Sequence, residues 1–206
     1  MNTIKIENKK CKIIAHRGLS GLECENTNAA FVAAGNRSYF GIETDVHVTK
    51  DGKYIIIHDN STKRVSDKEF DVEKSRYKKL KKVRLYDKID KRFRSDLTLP
   101  DLTDYIRICK KYEKIAVLEI KNPMSDKEIV GIINEISGED YLENTIFISF
   151  EWDNLVKIKS NTTNLIFIHF LLQYITCYIV HAIFYQFLSI FFFIACPTID
   201  FYIIFM

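Results

Sequence analysis

Glycine and proline are scarce in this chain, with seven Gly and three Pro among 206 residues, too few for a collagen-like or low-complexity protein. Tryptophan occurs once, at Trp152. The five cysteines (Cys11, Cys24, Cys109, Cys177 and Cys196) contain no CxxC pair and no zinc-ligand spacing. An odd, unpatterned set excludes a disulfide framework and reads as ordinary reduced thiols. The opening stretch "MNTIKIENKKCK" lacks the apolar run of a secretory signal, so a cytoplasmic location is expected. Neither sign of charge dominates: 30 Lys and Arg face 27 Asp and Glu, a net +3 that says little by itself, and no nucleic-acid partner is expected. What is present in quantity is apolar, 47% of residues against 28% charged, enough for one packed domain with an appendage.

Along residues 1–163 the pattern alternates between strand and helix. Apolar runs at 12–15, 54–57, 115–120 and 145–150 read as strands, and 41–48 ("GIETDVHV") alternates with period two. Asp51-Gly52 marks a turn. Residues 28–35 read as a helix capped by Thr27 and stopped at Gly35, and 126–136 and 152–159 are also helical. After Pro100, Leu102, Tyr105, Ile106 and Cys109 fall on one helical face. Repeated strand–helix units imply a parallel sheet, open or closed into a barrel.

Two stretches break the pattern. Residues 60–96 hold 14 Lys and Arg against seven Asp and Glu; this charged excursion, with scattered apolar positions, is either a phosphate-attracting surface or a solvated helical face. Residues 164–206 contain nine Phe, one charged side chain (Asp200) and no glycine. That tail is read as a membrane segment, since its uncharged run exceeds the roughly 20 residues that span a bilayer, or as a frame-shifted end. A buried barrel segment is a third reading, and "NLIFIHFLL" (164–172) suits a sixth strand.

Polar groups gather at strand ends. His16 and Arg17 close the first strand, His58 and Asp59 close "YIIIHD", Glu43 and Asp45 share a strand face, and Glu119 and Lys121 repeat that spacing. Each has a plain structural explanation: a capped surface histidine, an exposed acidic strand face, a simple ion pair. Together they make a coherent set, because the C-terminal ends of parallel strands meet at one mouth. Glu43, Asp45 and Glu119 offer oxygen-only ligation for a hard cation such as Mg²⁺ or Ca²⁺. His16 and His58 can act as general acid and base, Arg17 can clamp a phosphate and Lys121 adds a point charge. That is equipment for phosphodiester cleavage.

The series "AHRG", "ENT", "IETDVHVTKDG", "IIIHD" and "LEIK", spread over residues 12–160, resembles the glycerophosphodiester phosphodiesterase family. The resemblance implies a TIM-type (β/α)8 barrel with a small charged insertion over its mouth, here about residues 60–96. It also implies divalent-cation-dependent hydrolysis of glycerophosphodiesters to glycerol 3-phosphate and an alcohol. Carried onto this sequence, it makes His16 and His58 the acid/base pair, Glu43, Asp45 and Glu119 the metal ligands, and Arg17 and Lys121 the phosphate contacts. Glu25 and Asn26 of "ENT" would brace the site. The expected barrel is incomplete at its C-terminal end, because 164–206 shows no further strand–helix units and no late Trp motif. Two alternatives stand beside the active enzyme: a truncated, inactive homologue with a membrane-associated tail, and a lysophospholipase D-like enzyme acting on lipid phosphodiesters.

Overall fold

The structure is a computed structural model that describes residues 4–6 and 12–162, together with the backbone of Ile166–His169, Ile194–Ala195 and Tyr202–Phe205. Strand β1 (Lys12–Ala15) leads through α1 (Asn28–Gly35) to β2 (Gly41–Val48), and β3 (Tyr54–Ile56) follows. The charged excursion holds α2 (Tyr77–Leu80), β4 (Arg84–Tyr86) and β5 (Phe93–Thr98). Three more units succeed it: α3 (Leu102–Lys111) to β6 (Ile115–Ile120), α4 (Asp126–Gly138) to β7 (Thr145–Ser149), and α5 (Trp152–Ser160) to β8 (Ile166–His169).

Strands β1, β2, β6, β7 and β8 are parallel neighbours in chain order. A helix lies on every crossover and the order never reverses, which is the winding of a (β/α)8 barrel; a doubly wound sheet reverses at a switch point. The other side of β1 is taken in parallel by β10 (Tyr202–Phe205), with β9 (Ile194–Ala195) antiparallel beyond it. The remainder of 164–206, on which the tail expectations fall, lies outside the described residues. Among the described residues no helix is long and apolar enough to cross a membrane.

Local chemistry explains the elements. The Thr27 hydroxyl accepts from the Ala30 amide at 3.2 Å and caps α1. Ser125 and Glu128 form a reciprocal capping box at α4. Leu102, Tyr105, Ile106 and Cys109 are the buried face of α3, as their spacing predicts. They pack with Phe31, Ile42, Val46, Ala116, Leu118 and other residues into the layer between sheet and helices. A smaller cluster of Ile14, Val117, Ile146 and Ile148 fills the opposite, inner face of the sheet. Cys24 and Cys109 are buried free thiols.

Three expectations need correction and one gains a cause. First, β3 is not a parallel strand; it folds back antiparallel on β2, pairing Val46 with Ile56 and Val48 with Tyr54. Residues 49–53 are far too short for a parallel crossover, which takes a dozen residues or more. Second, β2 is buried at seven of its eight positions despite its alternating sequence, because its polar face lines the barrel interior and not solvent. Third, α1 stops at Gly35 as expected, and the residue also has a steric role: a Cβ there would lie 2.5 Å from the Tyr112 ring. Fourth, residues 60–96 are not a bare charged surface. Val72, Leu80, Val83, Leu85 and Leu97 bury themselves with Leu99 and Cys24 against Ile55 and Ile57 of the β3 segment, making a second core.

One further contact ties the β2–β3 hairpin to the helical layer. The Tyr54 hydroxyl donates to the Glu128 carbonyl at 2.7 Å, and it rests where a Cβ on Gly131 of α4 would otherwise stand.

Tyr105 is fully buried, and its hydroxyl donates to the Ile42 carbonyl at 2.7 Å, stitching α3 to β2. Tyr105→Phe is expected to lower unfolding free energy by about 1–2 kcal/mol, read as a shifted urea midpoint with an unchanged slope.

Candidate active site

The site stands at the C-terminal ends of β1, β2 and β6. The chain leaves β1 through His16 and Arg17, and Arg17 adopts a left-handed backbone, φ 55°. Such a conformation costs a non-glycine residue of order 1 kcal/mol or more, and here local hydrogen bonds hold it. The Arg17 amide donates to Glu43 Oε2 at 2.7 Å, and the Gly18 amide donates to the Glu43 carbonyl at 3.3 Å. Asn26, also left-handed at φ 53°, donates its amide to the Arg17 carbonyl at 3.0 Å. Its side chain donates to Asp45 Oδ2 at 2.8 Å and accepts from Thr44 Oγ1 at 2.8 Å. The loop after β1 is thereby laid across the end of β2.

Glu43, Asp45 and Glu119 are buried, and one oxygen from each lies within 4.8 Å of the others. The exposed-acidic-face reading of Glu43 and Asp45 is excluded by that burial. Burial, followed by the charges of Asp45 and Glu119, holds the Glu43 carboxyl well above its ordinary range. Burial and Asp45 likewise raise Glu119, with Lys121 pulling the other way. Lys121 donates to Glu119 Oε1 at 2.7 Å and stands 3.5 Å from Asp45 Oδ1. Three buried atoms here have no hydrogen bond: Asp45 Oδ1, Arg17 Nε, which stands 3.6 Å from Asp45 Oδ2, and Nδ1 of the neighbouring His47. A buried oxygen met only by an ammonium 3.5 Å away, inside a ring of carboxylates, is what a hard cation would satisfy.

The two histidines flank this cluster. His16 Nε2 lies 3.9 Å from Glu43 Oε2, and burial, then the Arg17 charge, brings the ring down to about 4. His58 arrives on the returning β3 strand, and its Nδ1 hydrogen-bonds Asp59 Oδ1 at 2.6 Å. Burial pushes the Asp59 carboxyl up, but hydrogen bonds from Arg64 and His58 outweigh it and leave Asp59 at about 2. Glu25 accepts from Arg17 Nη1 at 3.0 Å. All nine residues singled out from the sequence therefore gather at one end of the sheet.

Three neighbours went unassigned. Asp59 adjoins His58 in the chain and was legible as a ring partner. His47 extends the Glu43–Asp45 face by two residues; it is buried, pushed down to about 4 chiefly by burial, and contacts the His58 carbonyl through Nε2 at 3.2 Å. Arg64, from the insertion, bonds both Glu25 and Asp59, and nothing in its local sequence marks it.

Fold and geometry thus define an α/β barrel whose mouth joins an acidic cluster to imidazoles and cations. The Glycerophosphoryl diester phosphodiesterase family matches residues 16–174, and the chain belongs to that family. It is 30% identical over 161 residues to a glycerophosphodiester phosphodiesterase of Caldanaerobacter subterraneus subsp. tengcongensis, covering 76% of this chain and 65% of that one. In three dimensions it resembles an Oleispira antarctica phosphodiesterase solved with the product sn-glycerol-3-phosphate (TM-score 0.67, 23% identity, 82% of this chain and 72% of that one). It also resembles a Thermotoga maritima glycerophosphodiester phosphodiesterase (TM-score 0.61, 27% identity, 79% and 63%). The chain spans about three-fifths of the length of the curated relatives it matches.

The raised Glu43 carboxyl sets a pH dependence. The folded state keeps its proton to higher pH than the unfolded chain, so stability falls as pH rises above the ordinary value of 4.5. With chelator present, thermal melts from pH 4.5 to 7.5 should carry this decline as one component, set against the opposite rise from His16 and His47, whose lowered rings favour the folded state as pH increases. Glu43→Gln should remove that component and raise the pH 7 midpoint by about 2–4 °C, the equivalent of roughly 1 kcal/mol; an unchanged or lower midpoint would contradict the assignment.

Proposed function

We propose that the chain hydrolyses glycerophosphodiesters to glycerol 3-phosphate and an alcohol with the help of a divalent cation. The observation that carries this reading is the convergence of Glu43, Asp45 and Glu119 around the unsatisfied Asp45 Oδ1. All the donors are hard carboxylate oxygens, which fits Mg²⁺ or Ca²⁺ and not a thiolate- or imidazole-seeking metal. A cation held there supplies Lewis-acid polarisation and charge neutralisation for a phosphoryl oxygen.

The chain's own groups do the rest. Arg17 Nε, buried and without a hydrogen bond, and the Lys121 ammonium donate to the non-bridging phosphate oxygens. His16, held neutral at pH 7 by burial and by Arg17, takes a proton from the water that attacks phosphorus. His58 has Nδ1 committed to Asp59, which fixes the ring and leaves Nε2 for the leaving group. As the bond from phosphorus to the alcohol oxygen breaks, His58 gives that oxygen a proton, with Asp59 holding the ring in place. Glu25 and Asn26 act on geometry, through Arg17 and Asp45 respectively.

Purified full-length chain should release glycerol 3-phosphate from glycerophosphocholine when Mg²⁺ or Ca²⁺ is supplied, and EDTA should stop it. His16→Ala and His58→Ala should each lower kcat/KM by about 10²–10⁴ while leaving cation affinity intact. A folded wild-type chain that releases nothing with any divalent ion would reject the reading.

A further inference from the structure

Arg64 is the one insertion residue joined to both halves of the reaction machinery, and it does so with paired forks. Its Nη1 and Nη2 donate to Glu25 Oε2 and Oε1 at 2.7 and 2.8 Å, and its Nε and Nη2 donate to Asp59 Oδ2 and Oδ1 at 2.6 and 3.2 Å. Each carboxylate passes the contact inward. Glu25 Oε1 also accepts from Arg17 Nη1, and Asp59 Oδ1 also bonds His58 Nδ1. The result is a continuous chain of alternating charge: Arg17, Glu25, Arg64, Asp59, His58. It starts at the end of β1, crosses the insertion and ends after β3. A half-exposed ion pair contributes little to stability, so stabilising the fold does not account for the arrangement. Two carboxylates gripped by one planar guanidinium fix relative position more than they add energy.

We propose that Arg64 is a positioning residue that sets the distance between the phosphate-binding Arg17 and the proton-donating His58, making the insertion part of the catalytic geometry. This rests on the hydrolytic reading above. Arg64 touches Glu25 and Asp59, not the phosphate-binding groups themselves, so its loss acts on the chemical step more than on binding.

Arg64→Ala is expected to lower kcat about 10–100-fold, with KM changed less than about threefold and Mn²⁺ affinity unchanged. Arg64→Lys retains the charge but cannot fork onto both carboxylates, and should recover only about a tenth of the lost kcat. A readout independent of turnover is the His58 ring Nδ1 proton in ¹⁵N-histidine NMR spectra, expected as a resolved low-field signal in wild type and broadened in both variants. Should the alanine variant fail to fold, the lysine variant carries the same test. Wild-type kcat in a folded Arg64 variant, or an unchanged ring-proton signal, overturns the proposal. Wild-type protein without hydrolytic activity, yet with a ring proton that Arg64→Lys broadens, would defeat the functional reading and leave the positioning role standing.

Discussion

Mutual repulsion among three buried carboxylates is the constraint around which the mouth of this barrel is organised. Glu43, Asp45 and Glu119 are held there by strand register: the parallel pairing of β2 and β6 sets Asp45 beside Glu119. A slip of one residue would turn either side chain to the opposite face. Each carboxylate is met by its own donor. The Arg17 amide serves Glu43, the Asn26 side chain serves Asp45, and Lys121 serves Glu119. Even so, the cluster's repulsion is relieved only in part, by Arg17, Lys121 and the proton that the raised Glu43 carboxyl retains, and Asp45 Oδ1 has no hydrogen bond. The left-handed turns at Arg17 and Asn26 are the local expense of laying the loop after β1 across this cluster.

The insertion answers a second electrostatic need. Its surplus of Lys and Arg is set against the acidic loop after β1, with Arg64 on Glu25 and Arg94 on Glu23 at 3.1 Å. Lys88 adds a hydrogen bond to the Ser20 carbonyl. A separate apolar core built on Ile55 and Ile57 anchors these cations to the strand that delivers His58. Charge that looks unbalanced along the sequence is balanced in space, between residues 39 to 71 positions apart.

The parts legible in the sequence were those that local periodicity or residue chemistry encodes. The four buried positions of α3 follow from helical spacing, and the Thr27 cap from its hydroxyl. The carboxylates of Glu43, Asp45 and Glu119 stand out because burying acids on apolar strands demands a reason. The direction of β3 was equally legible, since five residues cannot carry a parallel crossover, but an apolar strand closed by His-Asp looks the same in either direction. The insertion's core was hidden because its apolar residues are scattered singly among Lys and Arg, and only tertiary folding brings them together. Arg64 was invisible for the same reason: its partners lie 39 and five residues away, in separate segments.

The seating of Tyr54 on α4 has a consequence for reading sequence variation in this molecule. Position 131 lies on a helix outside the site, yet any side chain there must push away the hydroxyl that anchors the β2–β3 hairpin. That hairpin ends at His58. A substitution at Gly131 therefore reaches the proposed proton donor by lifting a lever arm, and in a mutational survey it would score like damage to the candidate site while each of that site's side chains remained chemically intact.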